Sequence, residues 1–265
     1  MAFEFHSDKQ NYFNIQYENA KKYVLPFVKN EVALQQGTKV LEIGCGEAGV
    51  LKAFTELGCI CTGIELYNER LEDAKIFMHE ELVTGKIQFI NKNIYDINVN
   101  KDLPYLFDLI ILKDVIEHIP QQEKFMKSLQ GFLAENGKVF FGFPPWQMPF
   151  GGHQQICNSK FLSLLPYFHL LPMPLYIAVL KLFSESEGII EELKSIKSTG
   201  ISIERFEKIC KEENYAVVRK TFFFINPIYE YKFKLKVRAQ LSIISGLPFI
   251  RNFFTTAVYY LVGKK

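Results

Sequence analysis

The chain has 265 residues, 48% of them hydrophobic and 23% charged, and 31 Lys and Arg face 29 Asp and Glu for a net charge of +2. That composition buries a sizeable core and excludes a disordered chain, while the near-neutral balance supplies no basic field for nucleic acid. The most apolar stretch, 161–183, is cut by Pro166, Pro172, Pro174 and Lys181, which excludes a bilayer-spanning helix there.

In chain order, residues 1–37 read as an N-terminal helical segment, a candidate lid. From Thr38 onward, short apolar runs alternate with helical patterns, as in βαβ units of a parallel sheet. Residues 40–43 form the first strand; Val50, Leu51, Phe54 and Leu57 then recur at helical spacing before a capping Gly58. Residues 60–66 and 87–90 are the second and third strands, with a helical stripe of Leu71, Ala74, Met78 and Leu82 between them, ended by Gly85. Residues 107–112, nearly all apolar, suit a strand covered on both faces. A helix after Pro120 and a fifth strand at 139–143 complete a core over 38–145. Residues 146–200, rich in proline, Phe, Leu and Tyr, read as a helical cap inserted between strands five and six. Residues 201–265 supply a helix and the closing strands. The expected fold is α/β and Rossmann-like, a mostly parallel seven-stranded sheet with an antiparallel last strand.

Five cysteines (Cys45, Cys59, Cys61, Cys157, Cys210) have no paired CxxC spacing, and no metal-ligand cluster is apparent. The first ten residues lack the basic start and apolar run of a secretory signal, so a reducing cytoplasm is the expected compartment.

The chemistry concentrates in Val40-Leu41-Glu42-Ile43-Gly44-Cys45-Gly46-Glu47-Ala48-Gly49. Glycines between a strand and a helix let the backbone approach a ligand that a Cβ would exclude. Gly44, Gly46 and Gly49 match G-x-G-x-x-G literally, a dinucleotide signature, and tight packing alone also explains such a turn. Glu42 argues against phosphates, because a fixed negative charge repels pyrophosphate and suits a cationic ligand. Glu65, ending the second strand 19 residues after Gly46, stands where a carboxylate accepts ribose hydroxyls. A phosphate-free nucleoside with a positive centre fits both.

Together with Gly63-Ile64-Glu65 and the run Phe107-Asp108-Leu109-Ile110-Ile111-Leu112-Lys113-Asp114-Val115-Ile116-Glu117-His118-Ile119, this motif resembles the class I S-adenosylmethionine-dependent methyltransferases, most strongly their quinone-biosynthesis branch. Ala48 departs from the family's frequent third glycine. The resemblance implies S-adenosyl-L-methionine as cofactor. It places the methionyl end on Glu42 and the Gly44–Cys45–Gly46 backbone, with the backbone of Lys113 nearby. It also implies the ribose on Glu65, the adenine between Leu66 and Ile94, and Asn93 at the adenine edge, although Asn93 reads equally as a turn residue. Tyr12, Phe13 or Tyr17 would close over the cofactor, with a helix packing its aromatic stripe as the simpler alternative.

Methyl transfer needs a base only where the acceptor loses a proton. His118 and His153, beyond strands four and five, are the candidate catalytic residues; His118 reads equally as a helix-start residue, and His153 follows two glycines in what reads as a flexible loop. His6, His79 and His169 have no comparable setting. From Ala216 to Lys265 nine Lys and Arg face one acid, and Lys232, Lys234, Lys236 and Arg238 alternate with apolar residues as in a strand with one basic face. A solvated face is the ordinary explanation; the sharper expectation is contact with a membrane surface and an anionic, lipid- or glycan-linked small-molecule acceptor. The rival readings are an NAD-dependent oxidoreductase and a non-catalytic S-adenosylmethionine-binding protein. Nothing in the sequence fixes the oligomeric state.

Overall fold

The computed structural model describes residues 8–265, so His6 and most of the leader reading lie outside the described residues. Helix α1 (Lys9–Asn19) is capped by the Asp8 carboxylate and runs through a π-helical turn, Ala20–Val24, into α2 (Leu25–Val28). Then come β1 (Lys39–Ile43), α3 (Gly49–Thr55), β2 (Ile60–Glu65), α4 (Asn68–Phe77), α5 (His79–Val83) and β3 (Ile87–Asn91). The short α6 (Val99–Asp102), β4 (Phe107–Lys113), α7 (Gln122–Leu129) and β5 (Leu133–Phe143) complete the parallel part.

The strands form an eight-stranded sheet ordered β3-β2-β1-β4-β5-β8-β6-β7, one strand more than expected. Strands β1 to β5 pair in parallel, and β8 (Ala257–Lys264) runs antiparallel between β5 and β6 (Tyr215–Ile225). The eighth strand is the two-residue edge β7 (Arg238–Ala239) on β6. The basic alternation at 232–238 is therefore not a strand: Tyr229–Phe233 is helical (α12), and Lys234 turns out of it with φ +55°.

Pleating sends Leu109 and Ile111 of β4 to one face and Ile110 and Leu112 to the other, and all four are fully buried. On the first face they meet Phe13, Val24 and Phe27 of the N-terminal helices and Leu51 and Phe54 of α3. On the second they meet Phe125 and Leu129 of α7, with Phe206 and Ile209 of α11 (Ile203–Glu212). This is a three-layer α/β/α core.

Between β5 and α11, residues 146–200 fold into α8 (Lys160–Leu164), α9 (Met173–Leu182) and α10 (Glu187–Thr199) around their own core of Leu162, Tyr176, Leu180 and Leu193. The glycines at the entrance to this segment are close-packed rather than loose. A Cβ on Gly151 would lie 2.3 Å from the Trp146 carbonyl oxygen, and one on Gly152 would lie 2.2 Å from the His169 Cβ. The loop that presents His153 is thus wedged between Trp146 and the buried His169, whose Nε2 lies 2.8 Å from the Trp146 carbonyl.

Gly49 has a similar steric role. Its missing Cβ would sit 2.4 Å from the Phe13 carbonyl oxygen, so the third glycine of the literal motif lets α1 lie against the start of α3. Gly49→Ala is expected to push α1 off this contact and cost about 1–3 kcal/mol, the usual range for overpacking. Urea denaturation compared with the parent chain measures it.

Candidate functional site

A cavity of about 540 Å³ opens at the carboxyl ends of β1, β2 and β4, where open α/β sheets take ligands. Its floor is the turn after β1. Gly44 (φ +70°) and Gly46 (φ +52°) take left-handed conformations, and the Gly44 and Cys45 amides donate to the Ile64 carbonyl at 2.8 and 3.1 Å. A Cβ on Gly44 would meet Val115 Cγ2 at 2.7 Å, and one on Gly46 would meet Arg70 Nη2 at 2.2 Å. Ala48 is also left-handed (φ +66°), a conformation that costs a non-glycine residue roughly 1–2 kcal/mol.

Two carboxylates flank this floor. Glu42 is 3% exposed, and its Oε2 has no hydrogen-bond partner among the described residues. Burial raises its pKa well above the carboxylate range; Lys113 and Arg70 oppose the rise, while Glu65 and Glu47 add to it. An orphaned buried carboxylate oxygen at the wall of a glycine cradle is a ready partner for a cation. Glu65 is also buried, but its oxygens are engaged: Oε2 accepts from Gly46 N–H at 2.8 Å, and Oε1 accepts from Leu66 and Tyr67 N–H at 2.8 and 3.0 Å. The expected ribose acceptor is therefore also the clip that ties the glycine turn to the end of β2.

Arg70, which the sequence reading passed over, projects from α4 into the cavity. Its guanidinium donates to both Glu47 oxygens at 3.1 and 2.9 Å and lies 3.9 Å from Glu65 Oε2. It faces Gly46 as a fixed cation suited to an amino-acid carboxylate. The signal for it was present, an arginine in the first turn of the helix that follows Glu65. On the N-terminal side Tyr12 and Gln16 line the cavity, whereas Tyr17 does not; its hydroxyl meets the Glu56 carboxylate at 2.8 and 2.9 Å.

The comparisons with known proteins join this geometry to a family. A family model described as a methyltransferase domain matches residues 14–162, more than half of the chain. The chain belongs to the class I S-adenosylmethionine-dependent methyltransferases. The ubiquinone biosynthesis O-methyltransferase of Coxiella burnetii (strain Dugway 5J108-111) is 26% identical over 117 residues, 44% of this chain and 47% of that protein. The chain thus spans about half the length of the curated relatives it matches. A methyltransferase from Clostridium acetobutylicum ATCC 824 superposes with a TM-score of 0.56 over 94% of this chain and 92% of its own, at 13% identity. Phosphoethanolamine N-methyltransferase 2 of Haemonchus contortus, in complex with S-adenosyl-L-methionine, gives 0.54 over 91% of this chain and 51% of its own, at 15% identity. At these identities the likeness shows the shared fold.

S-adenosylmethionine is accordingly the cofactor class of this methyltransferase, and the dinucleotide reading of the glycine motif is not favoured. The orphaned Glu42 oxygen and the cradle that a Cβ would fill both fit that ligand. Leu66, Asn93, Ile94 and Lys113 all line the cavity. Asn93 also caps the turn after β3, its Oδ1 accepting from Tyr95 N–H at 3.0 Å, so its turn role is structural fact. Lys113 presents more than backbone: its buried amine holds Asp114 Oδ2 at 2.7 Å.

The far end of the cavity carries the two histidines. The rings of His118 and His153 stand edge to face with centroids 4.8 Å apart, and Glu192, Ser195, Ile196 and Thr199 of α10 form the adjoining wall. His153 is left-handed (φ +54°), a conformation fixed by the wedged glycines before it. Burial and the neighbouring His118 lower the His153 pKa to about 4, and burial lowers that of His118. Both shifts favour the neutral ring, which offers a lone pair. Behind them Glu117 is buried, its pKa raised well up by burial and by Asp114.

Proposed function

We propose that this methyltransferase transfers a methyl group to an oxygen of a small-molecule acceptor bound between His118, His153 and α10. The observation that carries the reading is one cavity with two different ends, an orphaned Glu42 oxygen beside the glycine cradle and a pair of neutral imidazoles opposite it. Bound S-adenosylmethionine supplies a methyl group already activated on a sulfonium. The chain's own work is alignment and exclusion of water. Glu42 would receive the cationic methionyl end, Arg70 its carboxylate, Glu65 the ribose, and Leu66 with Ile94 the adenine. Holding donor and acceptor in line supplies several kcal/mol of the acceleration. A neutral His118 or His153 would accept a hydroxyl proton, which fits oxygen as the methylated atom, as does the likeness to O-methyltransferases.

A membrane-surface acceptor is the finer part of the proposal. Leu241, Ile243 and Phe249 are 68%, 82% and 70% exposed, on and beside α13 (Ser242–Ser245) and before α14 (Ile250–Phe253), close in sequence to Lys234, Lys236 and Arg238. The Tyr167 hydroxyl donates to the Phe253 carbonyl at 3.3 Å and so ties this segment to the cap, whose Phe161 and Leu164 are exposed as well. Apolar side chains with adjacent cations suit an anionic lipid surface. Lys232 is the exception in the basic series: it turns inward over the Tyr12 ring at 5.2 Å, and burial lowers its pKa to about 8. Among the described residues no helix is long and apolar enough to cross a membrane.

The test is release of S-adenosylhomocysteine with hydroxylated aromatic and isoprenoid acceptors, with and without phosphatidylglycerol vesicles. Turnover with such an acceptor, together with cosedimentation that fades as salt rises, is the expected result. Cofactor binding with no turnover on any acceptor would favour the non-catalytic binding reading instead.

A further inference from the structure

Glu117 is a costly residue to bury. It is 5% exposed, and neither carboxylate oxygen has a hydrogen-bond partner on another of the described residues. A desolvated carboxyl group without a partner is destabilising unless a counter-charge or ligand satisfies it. The nearby lysine does not, because the amine of Lys113 is held by Asp114 at 2.7 Å. What faces Glu117 is the histidine pair: one ligating atom each from Glu117, His118 and His153 lie within 4.8 Å of one another. Two donors about 2.1 Å from a shared ion are at most roughly 4.2 Å apart, so small side-chain rotations bring the three to bonding distance.

The elements that carry these groups are braced. Gln122 Nε2 ties the Ile116 carbonyl to the Thr199 carbonyl of α10 at 2.9 and 2.7 Å, fixing the turn that bears Glu117 and His118. The close-packed Gly151 and Gly152 fix His153 from the other side. Sequence spacing concealed the group, because His153 lies 35 residues beyond His118 and reaches it only through β5 and the entrance to the cap.

We propose that Glu117, His118 and His153 form a binding site for a divalent transition-metal cation at the acceptor end of the cavity. One carboxylate and two imidazoles suit zinc, cobalt, iron or manganese, and three protein ligands leave coordination positions open toward the cavity. His118 and His153 line that cavity directly. The cation's role there rests on the methyltransferase reading: with both imidazoles bound to it, it would replace them as the group that activates the acceptor, acting as a Lewis acid on the hydroxyl oxygen so that its proton is lost to solvent before methyl transfer. Its existence does not depend on that reading.

The test uses the full chain, stripped with a chelator, dialysed and titrated with Co²⁺ by visible absorption and with Zn²⁺ by calorimetry. S-adenosylhomocysteine binding is measured on the same samples. One equivalent of metal with d–d bands is expected, and Glu117→Gln and His153→Ala should each weaken it by more than an order of magnitude while S-adenosylhomocysteine still binds. Should Glu117→Gln fail to fold by circular dichroism, His118→Ala takes its place. A chain that binds S-adenosylhomocysteine but takes up neither metal at micromolar concentration overturns the metal site alone. Metal uptake unaffected by both substitutions overturns it too, whereas metal uptake without S-adenosylhomocysteine binding supports the site and defeats the methyltransferase reading.

Discussion

Glu65→Ala is expected to weaken S-adenosylhomocysteine binding by about two orders of magnitude or more and to lower the stability of the chain as well. The sequence assigns Glu65 only the ribose, and losing that contact would cost about 1–3 kcal/mol. The structure adds three backbone amides, of Gly46, Leu66 and Tyr67, that lose their acceptor in the variant. The Gly46 bond is buried, and each orphaned buried amide costs about 1–3 kcal/mol. The glycine turn would then drift from β2, and the cradle would be lost with it. Glu65→Gln should lie between parent and alanine, because its amide nitrogen must face a backbone N–H at one end or the other. Calorimetric titration and urea denaturation measure the two effects, and unchanged affinity in Glu65→Ala would refute the assigned role.

His153→Ala is expected to reduce turnover by about 10²–10⁴ while leaving S-adenosylhomocysteine affinity nearly unchanged. The split follows from position, since His153 sits at the acceptor end and the cofactor contacts lie at the other. The pH profile follows from its pKa, lowered to about 4 by burial and by His118. In the metal-free chain the neutral ring is the active form, because only it accepts a proton. The His153 limb of the rate should therefore be flat from neutral pH down to about 5 and fall as pH drops through about 4. An acidic limb near 6.5, the ordinary histidine value, would contradict this shift. Gly152→Ala provides an independent check: its Cβ would meet His169 Cβ at 2.2 Å, so it should move His153 and depress turnover with no change to either ring.

What could be read beforehand followed local physics. The parallel strands announced themselves as short apolar runs, and the cradle as glycines between strand and helix with Glu42 and Glu65 in place. What escaped depended on tertiary packing. Tyr17 and Tyr12 are five residues apart, so they point in different directions around α1; only Tyr12 reaches the cavity, and composition cannot set that phase. Gly151 and Gly152 signal backbone freedom in sequence, yet they are there because Trp146 and His169 leave no room for a Cβ. The alternation at 232–238 has the period of a strand, but Lys232 packs over Tyr12 and the segment turns helical at Tyr229–Phe233. Glu117 gave no signal of its own, because its significance lies in the absence of partners once the chain is folded.

The central claim is that the Glu42-flanked cradle takes a phosphate-free, positively charged nucleoside. Side-by-side calorimetry of the parent chain with S-adenosylmethionine and NAD tests it most directly. Saturable one-to-one binding of S-adenosylmethionine, weakened in Glu42→Gln, with no heat from NAD, is the expected result. NAD binding in its place, or no heat from S-adenosylmethionine with a folded chain, would contradict it.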